Sequence, residues 1–370
     1  MEAAGVTARK PGKPKPPAAK SADRSIAKSD TSINKPSNTS VDTSANKSAN
    51  TSADKSLETS SAGRSKPRSA PAQPAPRGLV ARWNQFFFAA RDPRLAGVLR
   101  IGFGVLLLIN VLSWAPDLRL WFTEQGLLPA AAARDIVNEH APTVLGWVDA
   151  AWWPGLCYGV LVAAAVLLTV GWHTRVQAIL VLIGLTSFQN RNYAIVDGED
   201  TLFRLFAFYL ALCPAGWAFS LDARRRKRRG LDAPPPAPWG LRLFQIQLSV
   251  IYLSSAIEKT TGADWTSGSA LYYVARLDSF GKFPLPAFVF ASLGLTKLMT
   301  WAVLVLEWTL PVLLWLKRTR RWAIVVAIGF HLAIDYTMNL FLFHWLMILA
   351  ILSFAEFSEL RWPPWRRATD

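Results

Sequence analysis

The chain has 370 residues, with 41 Lys and Arg against 25 Asp and Glu and a formal net charge of +16. Half of it is apolar (51 %), and the mean hydropathy is positive although the first quarter is very polar. The remainder is therefore too apolar for an ordinary soluble domain. The basic excess does not read as a nucleic-acid footprint, because it sits in residues 1–94 and in the block RRRKRR at 224–229, beside apolar runs. There it suits anionic lipid, or marks the cytoplasmic side of a membrane domain.

Residues 1–78 are low in complexity, with loose repeats such as SADRS, SANKS, SANTS and SADKS. Apolar anchors are nearly absent, so the segment cannot offset its ordering entropy and is expected to be disordered. It lacks the apolar core of a signal peptide. From residue 79 to 358 the pattern changes to eight apolar runs, near 95–114, 151–172, 176–190, 201–220, 241–258, 298–316, 321–338 and 340–356. About 20 apolar residues cross the roughly 30 Å of hydrocarbon as helix, and Trp gathers near the run ends as an interfacial residue does. The fold expected is all-α: a polytopic transmembrane bundle of about eight spans. A further stretch at 286–297 is too short to span, and either extends the sixth helix or lies along the surface. Residues 359–370 form a short tail. Cys157 and Cys213 lie inside apolar runs, without metal or redox spacing, and read as small core residues.

With the N-terminus in the cytoplasm, the inside loops hold Arg175, the 224–229 block, Lys317, Arg318, Arg320 and Arg321. The C-terminal tail adds Arg361, Arg366 and Arg367. The outside loops hold only scattered basic residues. The positive-inside rule thus gives a multi-pass cell-membrane protein with both termini cytoplasmic. This orientation puts three polar clusters on the outer side. Ionisable groups at helix ends facing a bundle interior are candidate functional groups.

The first cluster is QNRNYAIVDGED at 189–200, with Asn190, Arg191 and Asn192 ending an apolar run, then Asp197 and Asp200. Arg204 follows Asp200 at helical spacing, and an Asp200–Arg204 pair is one reading. Arg191 meeting an anionic substrate group is another. The second cluster is SSAIEKTTGADWTSGSALYY at 254–273. Lys259 at a helix end either snorkels into water or, if desolvated, offers a neutral amine as a base. Glu258 points about 100° away on a helix and is a structural partner at most. Gly262 suits a helix end, and Asp264 and Trp265 read as a cap and an interfacial ring. Glu307 lies mid-run in LVLEWTLPVLL and must be neutral or paired there. The third cluster is HLAIDYTMN at 331–339. His331 and Asp335 share a face, with Asn339 one turn on and His344 beyond. Two such ligands do not make a metal site, and a His hydrogen-bonded inside the bundle is the better reading.

In this order, the Asn-Arg-Asn and Asp-Gly-Glu-Asp region, YLSSAIEKTTGADWTSGSALYY, the intramembrane Glu and FHLAIDYTMNLFLFHW resemble the horizontally transferred transmembrane (HTTM) domain. This is the membrane part shared with vitamin K-dependent gamma-carboxylases, and the likeness covers about residues 90–358. The carboxylases carry a Lys shortly before an Asp-Trp pair. Lys259 before Asp264-Trp265 resembles it, with one more residue between. Their Phe-His-Leu with a downstream Asn is matched by Phe330, His331, Leu332 and Asn339. They also carry a His where this chain has Asn190-Arg191-Asn192.

The resemblance implies reduced vitamin K or another quinol as cofactor, and Lys259 as the candidate base that deprotonates it on the outer side of the membrane. A basic vitamin K intermediate then takes a proton from a substrate Glu, and carbon dioxide captures the carbanion. The chain ends at Asp370, a few residues past the last expected span, where the carboxylases continue into a domain that engages the substrate's propeptide. The expected partners are therefore membrane lipids and a lipid quinone, with no nucleic acid and no protein partner specified. A non-enzymatic membrane partner or assembly protein is the rival reading. A transporter ranks below both, because no inverted repeat is visible.

Overall fold

The structure is a computed structural model, and it describes residues 78–129, 132–133, 141–231, 234, 236–277, 281–284, 286, 288 and 292–356. Residues 1–77 of the expected N-terminal tail and all of the expected C-terminal tail, 359–370, lie outside them. The described residues are helical, with a single isolated bridge, Gly281 to Met338.

Each of the eight apolar runs coincides with a helix. In chain order, the helices are α1 (Leu79–Phe88), α2 (Arg94–Ser113), α3 (Leu118–Phe122), α4 (Trp153–Val170), α5 (Thr174–Arg191) and α6 (Gly198–Leu212). They continue with α7 (Leu221–Arg228), α8 (Trp239–Thr261), α9 (Ala263–Ser267), α10 (Ala270–Val274), α11 (Leu293–Leu313), α12 (Arg320–Thr337) and α13 (Phe343–Ile351). Four of them, α2, α4, α8 and α11, are long and apolar enough to cross a membrane. The other four expected spans fall short of that combination. Helices α5 and α12 have 18 residues but are polar at both ends, α6 has 15, and α13 has nine before a 3-10 turn. The stretch at 286–297 resolves in part: residues 293–297 open α11, so the sixth helix starts five residues before the expected run.

Helices adjacent in sequence pack side by side: α2 on α4, α4 on α5, α5 on α6, α6 on α8, α8 on α11. Helix α13 packs on α12 and also on α2, α6 and α8. Phe103 stacks on Phe206, and Phe122 meets Phe188 edge to face; all four rings are buried. Close helix approach needs small residues, as in membrane bundles generally. A Cβ on Gly104 would lie 2.1 Å from Thr169 Oγ1, so only hydrogen fits between α2 and α4 there.

The distribution of polarity defines the class of fold. Val105, Ile109, Val160, Val305 and Val325 are exposed on the outer faces of their helices. Arg100, Asn110, Gln189, Asp200, Gln245, Glu307 and His331 are buried. An apolar exterior around a polar interior suits lipid, where backbone groups must be satisfied within helices and charged groups turn inward.

One end of the bundle is locked by a latch. Arg100 donates to the carbonyls of Ala215 (2.8 Å), Ala218 (3.2 Å) and Phe219 (2.6 Å). Asp222 accepts from the amides of His173 and Thr174, both at 2.9 Å, and from Thr174 Oγ1 at 2.8 Å. Gly171 ends α4 in the left-handed conformation, φ 74°, with Ser220 and Arg100 packed where a side chain would be. Burial disfavours ionisation of Asp222, but the hydrogen bonds from Thr174 and His173 outweigh it and hold the carboxyl below its usual range.

Candidate functional site

Helix α8 presents Tyr252, Ser255 and Lys259 at spacings of three and four, which places them along one face. That face meets α11 and α12. Lys259 Nζ donates to Glu307 Oε1 at 3.0 Å, forming an ion pair in which the Lys side chain is 24 % exposed and the Glu only 7 %. Ser255 Oγ donates to Glu307 Oε2 at 3.1 Å and accepts a hydrogen bond from Lys259 Nζ. The ammonium lies 5.3 Å from the centre of the Trp265 ring, within cation–π range. Trp308 Nε1 reaches Thr260 Oγ1 and Trp301 Nε1 the carbonyl of Thr266, so indoles of α11 fix the chain on both sides of Gly262.

Pro311 lies inside α11 and has no N–H for the Glu307 carbonyl one turn back. Glu307 therefore stands at an interruption of the helical ladder.

One turn deeper on α8, Tyr252 OH and His331 Nε2 are 2.8 Å apart, and His331 Nδ1 is 3.2 Å from His344 Nδ1. All three residues are buried, and His344 Nε2 has no hydrogen-bond partner. Asp335 does not join its helical neighbour His331; it pairs with Lys282 at 3.1 Å. Among the described residues, no three His, Cys, Asp or Glu side chains converge as metal ligands.

Asn190, Arg191 and Asn192 of the first polar cluster bind neighbouring backbone segments. Asn190 Nδ2 donates to Pro142 O (2.8 Å), and Asn192 Nδ2 to Trp121 O (3.0 Å). Arg191 donates to Leu128 O (2.8 Å) and Thr123 O (3.2 Å), and pairs with Glu124 at 3.2 Å. The triplet thus pins the segments around 121–128 and 142 onto the end of α5. Asp197 and Asp200 form a capping box at the start of α6. The Asp200–Arg204 pair read from spacing does not form. Asp200 takes the Asp197 amide and Gln189 Nε2, and Arg204 donates to Thr201. Helical spacing brings such residues within reach, but a carboxylate at N3 is drawn to the free amides of the helix start. Glu258 and Asn339 are exposed. Asp264, also exposed, accepts from Ser269 Oγ at 3.0 Å.

Sequence reasoning passed over Tyr252, Ser255 and Glu199. Ser255 was accessible as the residue one turn before Lys259. Glu199 is buried beside Asp200, and its Oε2 accepts from the Leu342 amide at 2.7 Å.

An apolar-faced helical bundle enclosing an ion pair and a Tyr-His-His chain defines a helical membrane protein with a polar interior. Residues 88–359 match the HTTM domain, and the chain belongs to that family. It is also similar to the uncharacterized protein YitO of Bacillus subtilis (strain 168), 26 % identical over 126 residues, which is 33 % of this chain and 40 % of that protein. The chain thus spans about two fifths of the length of this curated relative. No solved structure matches it.

Proposed function

We propose that this chain is a multi-pass membrane protein in which all eight apolar runs cross the bilayer, with both termini cytoplasmic and Lys259 in the outer half. We further propose that it binds a lipid quinone beside Lys259 and uses that amine as a base toward the quinol. The carrying observation is the Lys259–Glu307–Ser255 cluster under Trp265. The positive-inside distribution supports the orientation.

The surroundings of Lys259 suit an amphiphile. Trp301 and Trp308, which hydrogen-bond to the chain on either side of Gly262, are exposed, while the amine itself stays reachable. When bound, the quinol supplies the redox chemistry that the resemblance implies. The chain's own part is to receive a proton. Lys259 Nζ takes it as neutral amine, and Glu307 and Ser255 then hold the ammonium that results. From the ion pair, base function begins with transfer of the Lys259 proton to the Glu307 carboxylate, which frees the amine to take the quinol's proton. A general base positioned in this way contributes about 10²–10⁴-fold.

The test is epoxidation of reduced vitamin K by purified protein and by Lys259→Ala, with and without a Glu-containing peptide. Turnover in the first that is lost in the second supports the reading. Inactivity of both, with no quinone in mass spectra of the purified protein, overturns it. A second reading, a non-enzymatic partner or assembly protein, is favoured by one observation: the Lys259–Glu307 pair also ties α8 to α11, a purely structural use.

A further inference from the structure

Away from Lys259, the facing ends of α2, α5 and α6 line a partly open cavity of about 140 Å³. A water occupies about 30 Å³ of liquid, so the space suits a head group of a few heavy atoms. Its walls are of two kinds. Trp114, Phe122 and Phe188 supply aromatic surface, and Asn110, Gln189 and Glu199 supply polar groups. No Lys, Arg or His lines it.

The polar groups are unsatisfied in a specific pattern. Asn110 and Gln189 are each 3 % exposed, yet Asn110 Nδ2 and Gln189 Oε1 have no hydrogen-bond partner. The Gln189 amide is oriented by Asp200, to which its Nε2 donates at 2.9 Å, so its oxygen is a free acceptor. Asn110 leaves a free donor. Asp197 and Asp200 are engaged with the amides at the start of α6, and so meet its positive end themselves. The Glu199 carboxylate, 6 % exposed, accepts from the Leu342 amide and has no ion pair among the described residues. A buried carboxylate and a free acceptor beside aromatic faces select a cation that carries N–H. The free amide donor selects an oxygen on the same ligand. The absence of converging metal ligands among the described residues points away from a bare ion.

We propose that this cavity binds a primary ammonium with a neighbouring oxygen, of the ethanolamine class, either as a free amine or as the head group of a lipid. The site uses neither Lys259 nor Glu307, so it stands apart from the quinone reading.

The test is titration of the full-length protein in nanodiscs with ethanolamine, choline and ethylene glycol, read by calorimetry. A parallel arm measures retention of phosphatidylethanolamine against phosphatidylcholine by native mass spectrometry. Saturable ethanolamine binding is expected, with choline weaker by about tenfold or more because it offers no N–H. Retention of phosphatidylethanolamine without binding of soluble ethanolamine assigns the site to lipid; binding of both assigns it to the amine. Glu199→Gln still accepts from the Leu342 amide, and is expected to weaken binding by about tenfold through loss of charge. Binding of neither form, choline equal to ethanolamine, or a folded Glu199→Gln that binds undiminished would overturn the proposal. If that variant does not fold, the ethanolamine–choline comparison on the unaltered protein decides alone.

Discussion

Cutting the Lys259–Glu307 pair from either side should give unequal losses. Lys259→Met leaves a carboxylate whose side chain is 7 % exposed, with Ser255 as its remaining side-chain partner in the cluster. Breaking a buried pair in this way costs about 3–5 kcal/mol. Glu307→Leu instead leaves a Lys that is already 24 % exposed near a helix end, and its amine can turn toward water. That loss is expected to be smaller, about 1–2 kcal/mol, because the freed charge is resolvated. The double variant removes both charges and should recover part of the first loss, costing about 2–4 kcal/mol against about 4–7 for the summed single losses, so the pair shows a coupling of about 2–3 kcal/mol in a double-mutant cycle. An ordinary interhelical hydrogen bond in a membrane averages about 0.6 kcal/mol, so the magnitude separates a buried ion pair from a simple polar contact. The assay is SDS- or heat-induced unfolding of the four proteins in one detergent. Equal single losses that add without coupling would refute the reasoning.

Three further outcomes are expected. Gly104→Ala should destabilise by about 1–3 kcal/mol through collision with Thr169, and Thr169→Ala should restore part of it, measured as paired melting temperatures. No loss in Gly104→Ala would mean that α2 and α4 do not approach so closely. The latch carboxyl of Asp222 has a depressed folded pKa. Its contribution should be complete above the ordinary value of 3.8 and lost as pH falls through the lower folded value. Melting curves between neutral pH and about pH 3 should show this acid-sensitive component, and Asp222→Asn should lack it. Finally, Thr261→Cys should label with an impermeant maleimide from outside intact cells; labelling only after permeabilisation reverses the orientation.

The helices were legible because apolar runs of spanning length leave few alternatives, and all eight coincide with helices. Their ends were less so. Gly171 and the Pro238 that precedes α8 mark boundaries within a few residues, whereas α11 begins inside the 286–297 stretch, for which the sequence left open both an extension of the sixth helix and a surface segment. Lys259 stood out because a charge at the edge of an apolar run is costly, and its separation from Glu258 followed from helical geometry alone. Its actual partner, 48 residues away, depends on how α8 meets α11, which local pattern does not encode. Tyr252 went unnoticed because an aromatic residue in an apolar helix reads as core, and its hydroxyl acquires meaning only when His331 arrives from α12. Asn110 and Glu199 were silent for a similar reason: a lone amide in α2 and one acid in a run of three show no purpose until packing buries them.

The base role of Lys259 is tested most directly by chemical rescue. Lys259→Ala, supplied with reduced vitamin K and a series of small alkylamines, should regain quinol turnover that rises with amine concentration and basicity, as a missing general base requires. Turnover of the variant equal to that of the unaltered protein without added amine, or no recovery with any amine while the unaltered protein turns over, would contradict it.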